Sequence, residues 1–288
     1  MHDSNQMAKQ LQEALAKRRP RPWWPVLLAL TGSTLFLLFL AWYLYPRPQP
    51  EPLQVIPLDG VFTPDEAPFA RAQLLALAEK DEHRLEGQTL VFVEAGPIGR
   101  PGVQPRELKS QSDAHGQASV EWRDPEFLVH YINTTQGHGS PFQRGRLYVW
   151  PADSPVLVVD VDETLHAAEL DEQASKTLQQ AAQEGWRIIY AAVKNSKGGE
   201  FLAARDWIEN QTRLPRGPIL GRTYYPHEMP PLQARRELLQ SLRKRFRGPF
   251  VFIARNEESG RLGTELGLRA VTLGSTATPA WGDVRLQP

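Results

Sequence analysis

The chain has 288 residues, enough for two folded units with appendages. Its 33 basic and 33 acidic residues cancel to a formal charge of zero, which argues against a nucleic-acid partner. Cysteine is absent, which excludes disulfides, thiol catalysis and thiolate metal sites.

Residues 1–25 read as a basic tail carrying Lys9, Lys17, Arg18, Arg19 and Arg21. From Val26 to Tyr45 no residue is charged, and Leu, Phe and Ala dominate. As a helix this stretch spans about 30 Å, the hydrocarbon thickness of a bilayer. Trp23 and Trp24 before it, and Trp42, Tyr43 and Tyr45 at its end, have the placement of interfacial aromatic belts. The expectation is one N-terminal transmembrane helix over 26–45, making the chain a single-pass membrane protein. Basic residues precede the segment and only Arg47 closely follows it. That asymmetry predicts a cytoplasmic N-terminus and an extracytoplasmic bulk, periplasmic or extracellular. Residues 46–57, with Pro46, Pro48, Pro50, Pro52 and Pro57, predict an extended linker on the order of 35–40 Å long.

Residues 58–150 read as a small β-rich sandwich. Strand candidates are 89–94, 118–122, 127–132 and 146–150, separated by Gly, Pro and Asn clusters, with a helix over Phe69–Lys80 before them. Asp113-Ala114-His115-Gly116-Gln117 resembles turns of transthyretin-like and immunoglobulin-like sandwiches. His115, His130 and His138 have no metal-ligand spacing and read as surface or turn residues. Asn133-Thr134-Thr135 and Asn210-Gln211-Thr212 match glycosylation acceptors, a triplet common by chance.

Residues 151–288 alternate between strands and helices. Strands are expected at 156–159, 187–192, 217–221, 249–254 and 269–273, with helices at 170–184, 199–210, 232–246 and 258–266. That order predicts an α/β, doubly wound parallel sheet. Val156 to Val159 is a continuous apolar run, as suits a strand covered on both faces, and it ends in Asp160-Val161-Asp162-Glu163-Thr164-Leu165. Residues i and i+2 of a strand share a face, so Asp160 and Asp162 are expected to aim at one spot. Two carboxylates there repel unless a cation or shared proton relieves them, an arrangement suited to phosphoryl chemistry with Mg²⁺.

Asp-Val-Asp-Glu-Thr-Leu resembles the first motif, D-x-D-x-T, of the haloacid dehalogenase (HAD) superfamily. Pro151 to Gly274 is similar to the capless HAD domain of lipins and of phosphatidylinositol-transfer-protein-associated membrane proteins. The supporting text is Gly185 to Tyr190, Phe201 to Trp207, Leu214 to Gly217 and Phe250 to Gly274. The likeness covers slightly under half of the chain. It implies Asp160 as nucleophile, Asp162 as general acid/base and Thr164 supporting the loop. Arg235 would contact the phosphate, and Asp160, Asp162 and Glu258 would be the candidate Mg²⁺ ligands.

The later motifs depart from the family. Ala192 stands where the second motif has Thr or Ser, and loss of one preorganised donor typically costs ~10²–10³ in rate. Arg235 replaces the third-motif Lys, keeping its charge but not its shape. It precedes Leu238, Leu239 and Leu242 by three, four and seven residues, so it shares their inward face. Arg255 and Ser259 stand where the fourth motif has an acid or amide and the metal aspartate. Lys194, Asn195 and Lys197 beyond the second strand read as a polar turn. Mg²⁺ binding is therefore expected to be weak or absent.

The leading expectation is a membrane-anchored, catalytically impaired HAD-like protein. It would bind a phosphorylated lipid headgroup, an envelope component or a protein partner. One alternative is an active Mg²⁺-dependent phosphatase of the phosphatidate phosphatase kind, working through an aspartyl-phosphate. Another is an envelope interaction protein that works through its β-domain, with the HAD unit as scaffold.

Overall fold

The computed structural model describes residues 3–16, 53–77, 82–95, 105–133, 138–165, 171–193, 198–221, 229–274 and 280–286. The chain divides into two units, Met1–Pro50 and Glu51–Pro288. In the first, α1 (Asp3–Ala16) is a 14-residue helix of mostly polar composition. At 1.5 Å per residue it is about 21 Å long, short of the ~30 Å a bilayer core requires. No helix among the described residues is long and apolar enough to cross a membrane. The expected fold class, with its N-terminal transmembrane helix, is corrected accordingly: the described chain is mixed α/β with several sheets, one of them wholly parallel. The Val26–Tyr45 segment lies outside the described residues, as do Lys194, Asn195 and Lys197.

The second unit opens with strands. These are β1 (Leu53–Leu58), β2 (Gly60–Phe62), β3 (Phe69–Leu77), β4 (Glu82–Arg84), β5 (Thr89–Glu94), β6 (Glu107–Gln111), β7 (Gln117–Glu121), β8 (Glu126–Asn133), β9 (His138–Gly139) and β10 (Gln143–Val149). One sheet joins β1, β3 and β4 and adds β7 beside β3. The other runs β2-β10-β8-β5-β6 and adds β9 beside β8. Between them lies a core of Val55, Ala70, Ala72, Leu74, Leu90, Phe92, Trp122, Phe127 and Val129.

Two expectations fail here. Residues 53–57, read as the end of a linker, belong to β1, which pairs antiparallel with β3 over six residues. Phe69–Leu77, read as a helix, is strand β3. Its Ala and Leu content favours helix, but β1, β4 and β7 all pair with it, and tertiary pairing overrides weak intrinsic propensity.

The remaining elements are β11 (Val156–Asp160), α2 (Val161–Thr164), α3 (Glu172–Gln183), β12 (Arg187–Ala192), α4 (Gly198–Asn210), β13 (Ile219–Gly221), α5 (Pro231–Arg245), β14 (Phe250–Ala254), α6 (Glu257–Glu265) and β15 (Arg269–Thr272). The strands form one parallel sheet in the order β13-β12-β11-β14-β15. Alternate residues of β11 serve the two faces. Leu157 and Val159 pack with Leu178 of α3 and Phe201 of α4, whereas Val156 and Val158 pack with Leu238 and Leu242 of α5. By that parity Asp160 falls on the α5 face. The order of connection reverses between β11 and β14, and ligands of open α/β sheets bind in the crevice at such a switch point.

The β-rich part and the parallel sheet share their cores. Ile56, Leu58 and Leu75 belong to one cluster with the α3/α4 face, and Val61 and Trp150 belong to the cluster on the α5 face. A buried ion pair fixes this seam: Arg205 of α4 meets Asp59, between β1 and β2, at 3.0 Å. The same Asp59 carboxylate accepts from Arg146 N and from Ile219 N, each at 3.1 Å, so it also satisfies an amide of edge strand β13. Arg205 additionally donates to the carbonyls of Pro57 and Arg144.

Candidate functional site

The strand-end site is built around Asp160, the last residue of β11, whose side chain is 0 % exposed. The chain turns helical at Val161, so Asp160 and Asp162 do not continue one strand. The shared-face expectation fails for that reason: i and i+2 project together in a strand but on different sides of a helix. Asp160 is fully buried, while Asp162 is half-buried. Thr164 is buried and donates its hydroxyl to the Asp160 carbonyl, closing the turn, and Leu165 N bonds Val161 O at 3.0 Å.

Arg235 comes from the first half of α5, where Pro231 starts the helix after Pro230. Ala234, Arg235, Leu238, Leu239 and Leu242 form its buried face. The Arg235 guanidinium meets the Asp160 carboxylate at 2.5 Å through Nη2. Through Nη1 it donates to Ser259 Oγ at 2.8 Å. Ser259 is 1 % exposed and Arg235 4 %, so the three groups meet inside the fold. Arg235 thus joins the end of β11 to the helix that follows β14, across the switch point.

The other expected participants do not gather there. Ala192 is buried at the end of β12 and presents only a methyl group. Asn256 caps α6, its side chain accepting from Glu258 N at 2.9 Å. That cap turns Ser259 inward and leaves Arg255, Glu257 and Glu258 exposed. Glu258 therefore does not reach inward as a metal ligand, contrary to the expectation. Among the described residues no three His, Asp or Glu side chains form a group able to hold a metal ion.

Among the described residues, the donors gathered on Asp160 are a poor match to Mg²⁺. That ion requires near-octahedral oxygen coordination and usually rests on carboxylates. Here the Asp160 carboxylate carries a guanidinium, and the hydroxyl of Ser259 takes the same guanidinium's other arm. The positive charge that relieves Asp160 is supplied by the protein itself. A nucleophilic carboxylate must also reach an incoming phosphorus, and Asp160 is enclosed.

Two features of the structure lie outside the expectations from sequence. Ser259 was expected only as a missing ligand, not as the partner of Arg235. Arg205 was not singled out, although its place between Phe201 and Ile208, four residues after one and three before the other, marks an inward arginine as clearly as the spacing around Arg235. Neither a protein-family model nor a curated protein matches this chain.

Proposed function

We propose that the parallel-sheet unit is a HAD-like fold in which phosphoryl transfer is impaired, and that the protein acts by binding a phosphorylated headgroup or a protein partner. The observation that supports this reading is the Arg235 guanidinium spanning Asp160 and Ser259 inside the fold. It neutralises the expected nucleophile and ties down the residue at the place of the expected metal aspartate. Recognition then falls to surfaces away from the strand ends, with the parallel sheet as a rigid mount for the β-rich part. The Asp59–Arg205 pair is consistent with that mounting.

A working phosphatase is the second reading, favoured by one local observation. The Thr164 hydroxyl still closes the turn after Asp160, and Asp162 keeps partial exposure beside it. An assay separates the two. Full-length protein with Mg²⁺ is offered p-nitrophenyl phosphate and phosphatidate, beside Asp160→Asn. Equal background turnover in both proteins is the expected result. Turnover well above background that disappears in the variant would establish the phosphatase.

A further inference from the structure

We propose that the groove between α3 and the 3-10 turn Trp281–Asp283 binds a short peptide by its two free ends. The groove has a volume of about 450 Å³, within the ~300–1,000 Å³ of ordinary ligand pockets. One wall is a stripe of α3 and its C-cap: Gln173, Lys176, Thr177, Gln180, Ala181 and Glu184. Their spacing of i, i+3, i+4, i+7, i+8 and i+11 places them on a single helix face. The other wall is Gly282, Val284, Arg285 and Leu286.

The two walls are fixed to each other before any ligand arrives. Trp281 is 1 % exposed and shares a core cluster with Leu178 and Ala181. Its carbonyl accepts from the Thr177 hydroxyl at 3.2 Å. The Asp283 carboxylate closes the turn by accepting from Ala280 N at 3.2 Å. Arg285 is held through Nη1 alone, which donates to the carbonyls of Gly282 at 2.7 Å and Val284 at 3.2 Å. Its Nε–Nη2 edge has no bond among the described residues. That edge of a guanidinium can pair with a carboxylate through two parallel hydrogen bonds.

Glu184 supplies the opposite charge. Its Oε1 accepts from Gln180 Nε2 at 2.8 Å, and no cation meets it among the described residues. Lys176 is already matched by Glu172 at 2.9 Å. The groove thus carries a guanidinium edge on one wall and a carboxylate on the other. A simple anion would satisfy Arg285 but be repelled by Glu184, whereas a molecule with a carboxylate and an ammonium answers both. Between them, the Gln173 carboxamide and the lone pairs of the Thr177 hydroxyl suit a peptide C=O and N–H. Ala181, Val284 and Leu286 form a small apolar floor for short side chains. At about 30 Å³ per water the volume equals roughly fifteen waters, room for two or three small residues. Capture of free chain ends is a recurring mode of peptide recognition.

The test is calorimetric titration of the full-length protein with alanyl-alanine, its N-acetyl form lacking the ammonium and its C-terminal amide lacking the carboxylate. The free dipeptide is expected to saturate one site, with both blocked forms at least about tenfold weaker. Arg285→Gln should weaken the free dipeptide about tenfold and leave the C-terminal amide unchanged. A Cβ at Gly282 meets no atom within 4 Å, so Gly282→Trp should fill the groove without disturbing the core. The proposal is overturned if the free dipeptide gives no saturable heat or if either blocked form binds as well. Unchanged binding of the free dipeptide by both variants would also overturn it. The titration reads binding and not turnover, so its outcome is independent of whether Asp160 is catalytic.

Discussion

Nη2 of Arg235 lies 2.5 Å from the carboxylate of Asp160, and the two side chains are 5 % and 0 % exposed. A buried pair of this kind gives little net stability against a well-packed apolar pair, because both ions lose their hydration. Breaking it from one side is costly, since the remaining charge stays buried alone.

Arg235→Met should therefore destabilise the protein by roughly 3–5 kcal/mol, by removing the guanidinium that meets the buried Asp160 carboxylate. Asp160→Asn combined with Arg235→Met should recover a large part of that loss. Urea denaturation of both variants, read as the shift in midpoint at constant slope, checks the sign and the recovery.

Asp59→Ala removes the counter-ion of Arg205 and the acceptor for Ile219 N and Arg146 N in one step. Glu209 also meets Arg205 at 3.0 Å and retains part of the pairing, so the expected cost is about 3 kcal/mol, the lower end for a broken buried pair. Trp122 reports on the β-rich core, and Trp186 and Trp281 on the α3/α4 face of the parallel sheet. In the native chain their unfolding transitions should coincide. In Asp59→Ala they should separate, which site-selective tryptophan fluorescence would resolve.

Tyr148 sits at the same seam. Burial, and after it the charge of Asp59, push its phenol up to about 12 from the ordinary 10. In the unfolded chain the phenol ionises near pH 10, while the folded chain keeps the proton until pH 12, so between these values the unfolded state binds fewer protons. Stability is then full below pH 10 and falls toward pH 12, with a slope approaching ~1.4 kcal/mol per pH unit for this group. Burial also raises Tyr190, which adds to the same fall. Comparing the midpoint against pH for the native protein and Tyr148→Phe checks this, and the variant should show the shallower alkaline loss.

What was legible in the sequence follows from how local each signal is. The runs Val156–Val159 and Phe250–Ile253 are continuous apolar segments, and buried parallel strands need nothing else to reveal them. Arg235 could be read as inward-facing from three leucines on its own helix. Strand β3 could not be read, because its composition favours helix and its partners β1, β4 and β7 are set by long-range pairing. A shared face for Asp160 and Asp162 requires a continuing strand, whereas a short helix begins at Val161 and takes in Asp162, Glu163 and Thr164, where acidic residues suit a helix start. Ser259 lies 24 residues from Arg235, and Asp59 lies 146 from Arg205. Such contacts emerge only once the order of strands brings β14 beside β11 and sets β13 against the seam.

Calorimetric titration of the full-length protein with Mg²⁺, beside Asp160→Asn, most directly tests whether Arg235 supplies the cation at the strand ends. With the guanidinium on Asp160, the native protein and the variant should give the same featureless heats of dilution. A one-to-one binding isotherm in the native protein that vanishes in Asp160→Asn would contradict the account.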